Sequence, residues 1–281
     1  MESSSSVTSC VELVMTGPAR RLHPELATAQ FPATWIAREV PLAYRVMPKC
    51  ACSSIGQWLH HLDHGHFYAG EIHDRHAPLL KWGNDDDTEA IARRIGAGGY
   101  VHFTFVRNPY RRLVSAFADK IFGYQSNGRR YRAGIIQRRL FAYSVNFGPK
   151  SNVVDNFRGF VRFVADTIEK GEPMPSDLHW TPCAAHLAFN AAANPTWRPH
   201  FIGHVERLRS GLLDLAATVD LPHQAVPEHL PRENTTSLGP VRFENLYGPN
   251  EIDTVRRVYA KDFALFGYSE DPAVSSPVGE V

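Results

Sequence analysis

Residues 45–59 read RVMPKCACSSIGQWL, and the fold turns on them. A β-prone run, Ala43-Tyr44-Arg45-Val46-Met47, ends in Pro48-Lys49. A row of small residues follows, Cys50-Ala51-Cys52-Ser53-Ser54, and then an apolar stretch with helical spacing to about Asp63. The order predicts a strand, a tight turn and a helix capped by Ser53 or Ser54. A turn made only for packing has no need of a lysine. Small side chains let backbone N–H groups approach an anion, and a helix N-terminus adds partial positive charge. Lys49 adds a full charge, and Ser53 and Ser54 add hydroxyls. The same letters also suit a capped helix with a surface lysine. The turn departs from the nucleotide-hydrolase loop G-x-x-x-x-G-K-[ST], since its lysine precedes the small residues and it holds no glycine.

A second turn repeats the design. Tyr100–Val106 is aromatic and β-branched, which predicts a strand. Asn108 is placed to cap a helix that Pro109 opens, with Leu113, Phe117 and Ile121 along one face. Arg107 ends the strand with a planar fork of donors suited to phosphate, and Ser115 follows eight positions later. Taken alone, Ser115 is simply a helix serine. Further helices are predicted near 133–145, 153–170, 204–218 and 249–265, and a strand over 199–203. Strands alternating with helices give an α/β fold around a parallel sheet. Glycines and aromatics in 65–83 and prolines in 171–199 predict long loops.

At 281 residues, 43% of them hydrophobic and 21% charged, the chain can build a sizeable core. The reading is an irregular N-terminal segment over 1–40, a single domain over 41–269 and a disordered tail over 270–281. A net charge of +1 offers no overall field for nucleic acid or a membrane surface, so any anion site is local. Cys10, Cys50, Cys52 and Cys183 make neither a disulfide framework nor a zinc spacing, which points to a reducing, cytoplasmic location. No apolar run reaches about 18 residues, and the start lacks the basic and apolar regions of a secretory signal. No membrane anchor is expected.

Together the two turns resemble the nucleotide site of the sulfotransferases. Pro48–Ser54 is similar to their 5′-phosphosulfate loop. RNPYRRLVSAFADK, from Arg107, is similar to their 3′-phosphate motif, Arg-Asp-Pro-x-x-Arg-Leu-x-Ser-x-(Tyr/Phe). The match is best to the Golgi carbohydrate sulfotransferases that act on chondroitin, dermatan and the natural-killer-cell epitope (sulfotransferase family 2). Asp177-Leu178-His179-Trp180 resembles that family's His-Trp loop. Phe201–Leu208 resembles its strand ending in Gly-x-x-Glu-x-Leu, and Tyr259–Tyr268 its C-terminal Tyr-x-x-Asp-Phe-x-x-Phe-Gly-Tyr helix. The resemblance runs in order from about 43 to 269. Three departures stand out: Asn108 replaces an acidic residue, no counterpart of the membrane anchor is expected, and only Cys183 follows the His-Trp loop. They fit a soluble, bacterial relative in a reducing cell interior.

The resemblance implies a P-loop-like three-layer fold with a central parallel sheet flanked by helices. It implies in-line, metal-free transfer of a sulfuryl group from 3′-phosphoadenosine 5′-phosphosulfate (PAPS) to a hydroxyl or amine of a carbohydrate or small-molecule acceptor. The product adenosine 3′,5′-bisphosphate (PAP) would be left behind. Lys49 would stabilise the leaving group. Cys50, Ala51, Cys52, Ser53 and Ser54 would hold the phosphosulfate, Arg107 and Ser115 the 3′-phosphate, and Arg232 a further phosphate oxygen. The catalytic base is sought in the segment Gly70–Pro78, first His73, then His76, then Glu71. Glu71 and His179 would line the acceptor pocket, while Trp180 lines it or belongs to the core. Arg129, Arg130, Arg132, Arg138 and Arg139 form a basic stretch, either a solvated face or a guide for an acidic acceptor. Two other readings stay open: a nucleotide-binding protein of this fold without transferase activity, and a nucleotide kinase. Intact Lys49, Arg107 and Ser115 weigh against the first, and the missing glycine-rich loop against the second.

Overall fold

The computed structural model describes residues 34–74, 77–81, 94, 98–122, 135–146, 151–170, 178–193, 199–231, 238 and 240–278. In chain order the strands are β1 (Thr34–Ile36), β2 (Leu42–Arg45), β3 (Leu80–Lys81), β4 (Val101–Val106) and β5 (Phe201–His204). The helices are α1 (Cys52–His64), α2 (Pro109–Phe117), α3 (Ile135–Phe141), α4 (Val153–Glu169), α5 (Cys183–Ala193), α6 (Leu208–Ala217), α7 (Pro249–Val258) and α8 (Ala260–Phe266). The chain gathers into two compact units, one of residues up to Arg107 with Cys183–Glu233, the other of Asn108–Pro182 with Asn234–Val281. The stretch read as one domain, 41–269, contributes to both.

The fold is α/β and P-loop-like, with its sheet in the first unit. Strand order is β3-β1-β2-β4-β5. β2, β4 and β5 are parallel, as expected, with Tyr44 opposite Phe103 and Val106 opposite His204. β1 pairs antiparallel with β2 and β3, so the edge departs from an all-parallel sheet. Sequence reading placed β1 in an irregular segment and β3 in a loop. Strands of three and two residues are too short to show a period of two. Successive strand residues face opposite sides. On one face Leu42, Tyr44, Phe103 and Phe105 form a single apolar cluster with Ile55, Trp58 and Leu59 of α1 and Leu212, Leu215 and Ala216 of α6. Gly203 and Gly211 are set by this packing: a Cβ there would come within 2.3 Å and 3.0 Å of the Phe105 ring.

The other face carries polar residues that are nevertheless buried: Arg45, His102 and Thr104. The Thr104 hydroxyl donates to the Arg45 carbonyl at 2.8 Å. Burial, helped by the charge of Arg45 and by His200, lowers the His102 imidazole from 6.5 to about 4. The folded state therefore keeps His102 neutral while the unfolded chain protonates it, and stability is lost as pH falls from 6.5 to about 4. The loss is of order 3 kcal/mol at most. The thermal midpoint should drop through this window, and His102→Phe should flatten that part of the profile. A variant profile parallel to the wild type would rule the assignment out.

In the second unit Asn108 caps α2 as predicted, its side-chain oxygen accepting from the backbone N–H groups of Tyr110 and Arg111. Phe117 packs edge-on against Phe157 of α4. The predicted helix over 249–265 is two helices that break at Tyr259 (φ −106°, ψ 20°). There the Tyr259 hydroxyl donates to the Trp180 carbonyl at 2.5 Å. The stretch expected to be a disordered tail is tied down over its described residues. Tyr110 donates to the Glu270 carbonyl, the Asn108 amide donates to the Val274 carbonyl, and Tyr268 pairs with Pro277. The Asn108 amide supplies a donor that an acidic residue would lack.

Candidate functional site

The first turn joins β2 to α1. Lys49 (φ +66°) and Ala51 (φ +58°) both lie in the left-handed region although neither is glycine. Each costs about 1–2 kcal/mol in an L-residue, and such strain persists where surrounding structure over-determines it. Left-handed residues in a turn swing N–H groups toward one concave side, an arrangement suited to an anion. The helix begins at Cys52 with Ala51 as N-cap and no side-chain cap hydrogen bond. The predicted capping by Ser53 or Ser54 is therefore corrected. Both serines lie inside the helix, where their hydroxyls reach other partners.

Those partners assemble the site. Ser53 Oγ lies 3.0 Å from His73 Nε2, and Cys52 Sγ lies 3.6 Å from the same nitrogen. Ser54 Oγ donates to the Pro231 carbonyl at 2.7 Å. This brings the root of the 229–237 segment to the first turn; Arg232 itself lies outside the described residues. His76 also lies outside them. Glu71 is exposed, and its carbonyl accepts from the Asp74 N–H. Among the described base candidates, His73 is the one whose ring touches the first turn. Burial holds the Cys52 thiol above its ordinary value, with the charge of Lys49 opposing the shift, so Cys52 is a poor nucleophile at neutral pH.

Two residues that sequence reading missed hold His73 in place. The Trp35 ring meets the His73 ring edge-on, centroids 5.1 Å apart. Gly56 lets α1 lie close: a Cβ there would sit 2.5 Å from the Trp35 ring and 3.0 Å from Ile72, the neighbour of His73. Trp35 fell in a stretch read as irregular. The lone glycine inside the helical stretch was the available signal for a close approach.

Arg107 follows β4, and its Nη1 donates to the Lys49 carbonyl at 3.3 Å. Ser115 lies half-buried on α2 in the second unit. Also in that unit, buried Arg112 donates to the Thr181 carbonyl at 2.5 Å and the Leu178 carbonyl at 3.1 Å. With Tyr259 on the Trp180 carbonyl, it clamps the turn that carries half-buried His179. Arg112 was not singled out from sequence, although it stands inside the quoted motif. Trp180 belongs to the core, packed edge-on against Phe160 and Phe163. Of the basic stretch, Arg138 is exposed and Arg139 lies over the Phe163 ring at 5.5 Å, while Arg129, Arg130 and Arg132 fall outside the described residues. Among the described residues no helix is long and apolar enough to cross a membrane. Among them, too, no three His, Cys, Asp or Glu side chains group as a metal site.

Carbohydrate sulfotransferase 14 of Danio rerio is 30% identical over 236 residues, covering 80% of this chain and 59% of its own. The Homo sapiens protein of the same name is 28% identical over 172 residues, 60% of this chain and 42% of its own. Carbohydrate sulfotransferase 11 of Rattus norvegicus is 25% identical over 242 residues, 81% of this chain and 64% of its own. The chain thus spans about half the length of the curated relatives it matches. These relatives are vertebrate proteins and lend no support to a bacterial source. No solved structure matches the chain. The model of the sulfotransferase family matches residues 32–269, a span that takes in both anion turns, the His-Trp turn and the C-terminal helices. A match of that extent, through every motif that bears on the site, means that the chain belongs to the sulfotransferase family.

Proposed function

We propose that the protein transfers a sulfuryl group from PAPS to a hydroxyl or amine of a carbohydrate acceptor, in line and without a metal. The observation that carries the reading is the strained, glycine-free turn at Lys49–Ala51, with His73 against its serine. Family membership supports the donor, and the names of the relatives support a carbohydrate acceptor.

In this reading the backbone from Cys50 to Ser54 and the hydroxyls of Ser53 and Ser54 hold the phosphosulfate. Lys49 faces the oxygen that bridges phosphorus and sulfur. As the sulfur–oxygen bond to the 5′-phosphate breaks, that oxygen keeps the electron pair, and the ammonium stabilises the developing charge. The acceptor oxygen forms the new bond to sulfur and gives its proton to His73. Arg107 and Ser115 hold the 3′-phosphate, the group that separates this donor from ATP, and Arg232 adds a further contact. Glu71 and His179 face the acceptor. His76 is the second choice of base. Positioning and fixed charge supply most of the catalysis, as in phosphoryl transfer.

Calorimetric titration tests the donor site. PAP should bind at least tenfold more tightly than AMP, and more tightly than ATP, because one charge-assisted phosphate contact is worth roughly that factor. Equal affinity for PAP and AMP would mean that Arg107 and Ser115 form no 3′-phosphate site.

A further inference from the structure

We propose that Arg107 does more than bind phosphate: it braces Lys49 in its left-handed conformation and so couples the two anion turns. The proposal rests on the donor-site reading above. Lys49 holds φ +66° without the freedom of a glycine. A backbone in that region relaxes unless something fixes it. Arg107 Nη1 supplies a charged donor to the carbonyl of Lys49 itself, the group whose direction the adjoining backbone dihedral sets.

The brace is mounted on a paired strand. β4 lies between β2 and β5 and is paired on both sides, with Val106 opposite His204 immediately before Arg107. Because β2 and β4 run parallel, their C-terminal ends emerge at the same edge of the sheet, which sets Arg107 beside the turn at Lys49. A guanidinium carries five N–H donors in one plane. One of them can serve the Lys49 carbonyl while others on the same plane face an anion. An anion that fixes the plane therefore also fixes the lysine backbone. Binding energy from the remote 3′-phosphate would be used at the reacting end of the donor, where the Lys49 ammonium must sit. A lysine at position 107 offers three donors on a rotating ammonium, with no plane that ties one contact to the other.

A residue that only bound the 3′-phosphate would not matter to a nucleotide that lacks it. Wild type, Arg107→Ala and Arg107→Lys are titrated with PAP and with AMP. Amide hydrogen exchange is followed on each unliganded protein. The brace predicts that AMP affinity falls roughly tenfold in both variants, the worth of one hydrogen bond from a charged donor. It also predicts faster exchange of the amides of residues 50–53, with β4–β5 protection unchanged as the check that the sheet remains folded. Loop exchange at the wild-type rate in both variants would overturn the brace. Faster loop exchange with unchanged AMP affinity would overturn the coupling. If wild type binds PAP no better than AMP, the donor-site reading fails by itself, and loop exchange still decides the brace.

Discussion

Lys49→Ala is expected to lower sulfuryl transfer by about 10²–10³-fold, the usual cost of losing one group that stabilises a developing oxyanion. The fold should survive. Ala51, two positions on, already occupies the left-handed region that residue 49 needs (φ +58° against +66°), so an alanine at 49 meets no new backbone cost. The Arg107 contact is to the residue 49 carbonyl, which alanine retains. The loss should therefore fall on turnover, with the thermal midpoint and PAP affinity changing far less. Lys49→Arg should recover little, because a planar fork does not replace a compact ammonium. Transfer from labelled donor, measured beside thermal unfolding, checks this. Activity near the wild-type level in a folded Lys49→Ala protein would remove Lys49 from the mechanism and, with it, the reading of the first turn.

His73→Gln should lower turnover by about 10²–10⁴-fold, the range for loss of a positioned general base. Glutamine places an amide nitrogen near the position of Nε2, so the contact to Ser53 is retained while the titrating group is lost. The pH profile separates a base from a prop. With His73 as the base, the wild-type rate falls on acidification as the imidazole protonates, and the variant loses that acid limb. Donor affinity should hold, since Lys49 and the turn amides are untouched. A variant that keeps both the acid limb and most of its turnover would transfer the role to His76 or Glu71. The same variant also addresses the reading without transferase activity, because a binding protein has no acid limb to lose.

The two strand-turn-helix units were legible in the sequence because their signals are local. Small side chains over 50–54 and an asparagine before a proline act on backbone within a few residues, and the order of strand, turn and helix follows from them. Helix α4 was legible to within a residue for the same reason, its apolar period running unbroken from Val153 to Glu169. Segments whose structure comes from distant partners were not legible. β1 is three residues long and is a strand because β2 and β3 pair with it on either side. Tyr259 interrupts a continuous helical pattern where its hydroxyl reaches Trp180, and the stretch after Tyr268 is held by Asn108 and Tyr110 rather than by its own composition.

The candidate site divides the same way. Sequence alone determined which residue types are suited to an anion, since charge, hydroxyl and small volume belong to Lys49, Ser53, Ser54 and Arg107 wherever the chain goes. It named His73 as first choice of base but contained nothing that would seat its ring on Ser53. That contact spans 20 positions, and the one from Ser54 to Pro231 spans 177. The first depends on Gly56 admitting Trp35 beside the His73 ring, which only the packed sheet and helix define. The serines illustrate the difference most directly. Composition at a helix start predicts hydroxyls turned back to cap their own backbone. The tertiary structure lets Ala51 end the turn instead and directs both hydroxyls outward, because a left-handed residue at the cap moves the start of the helix ahead of them.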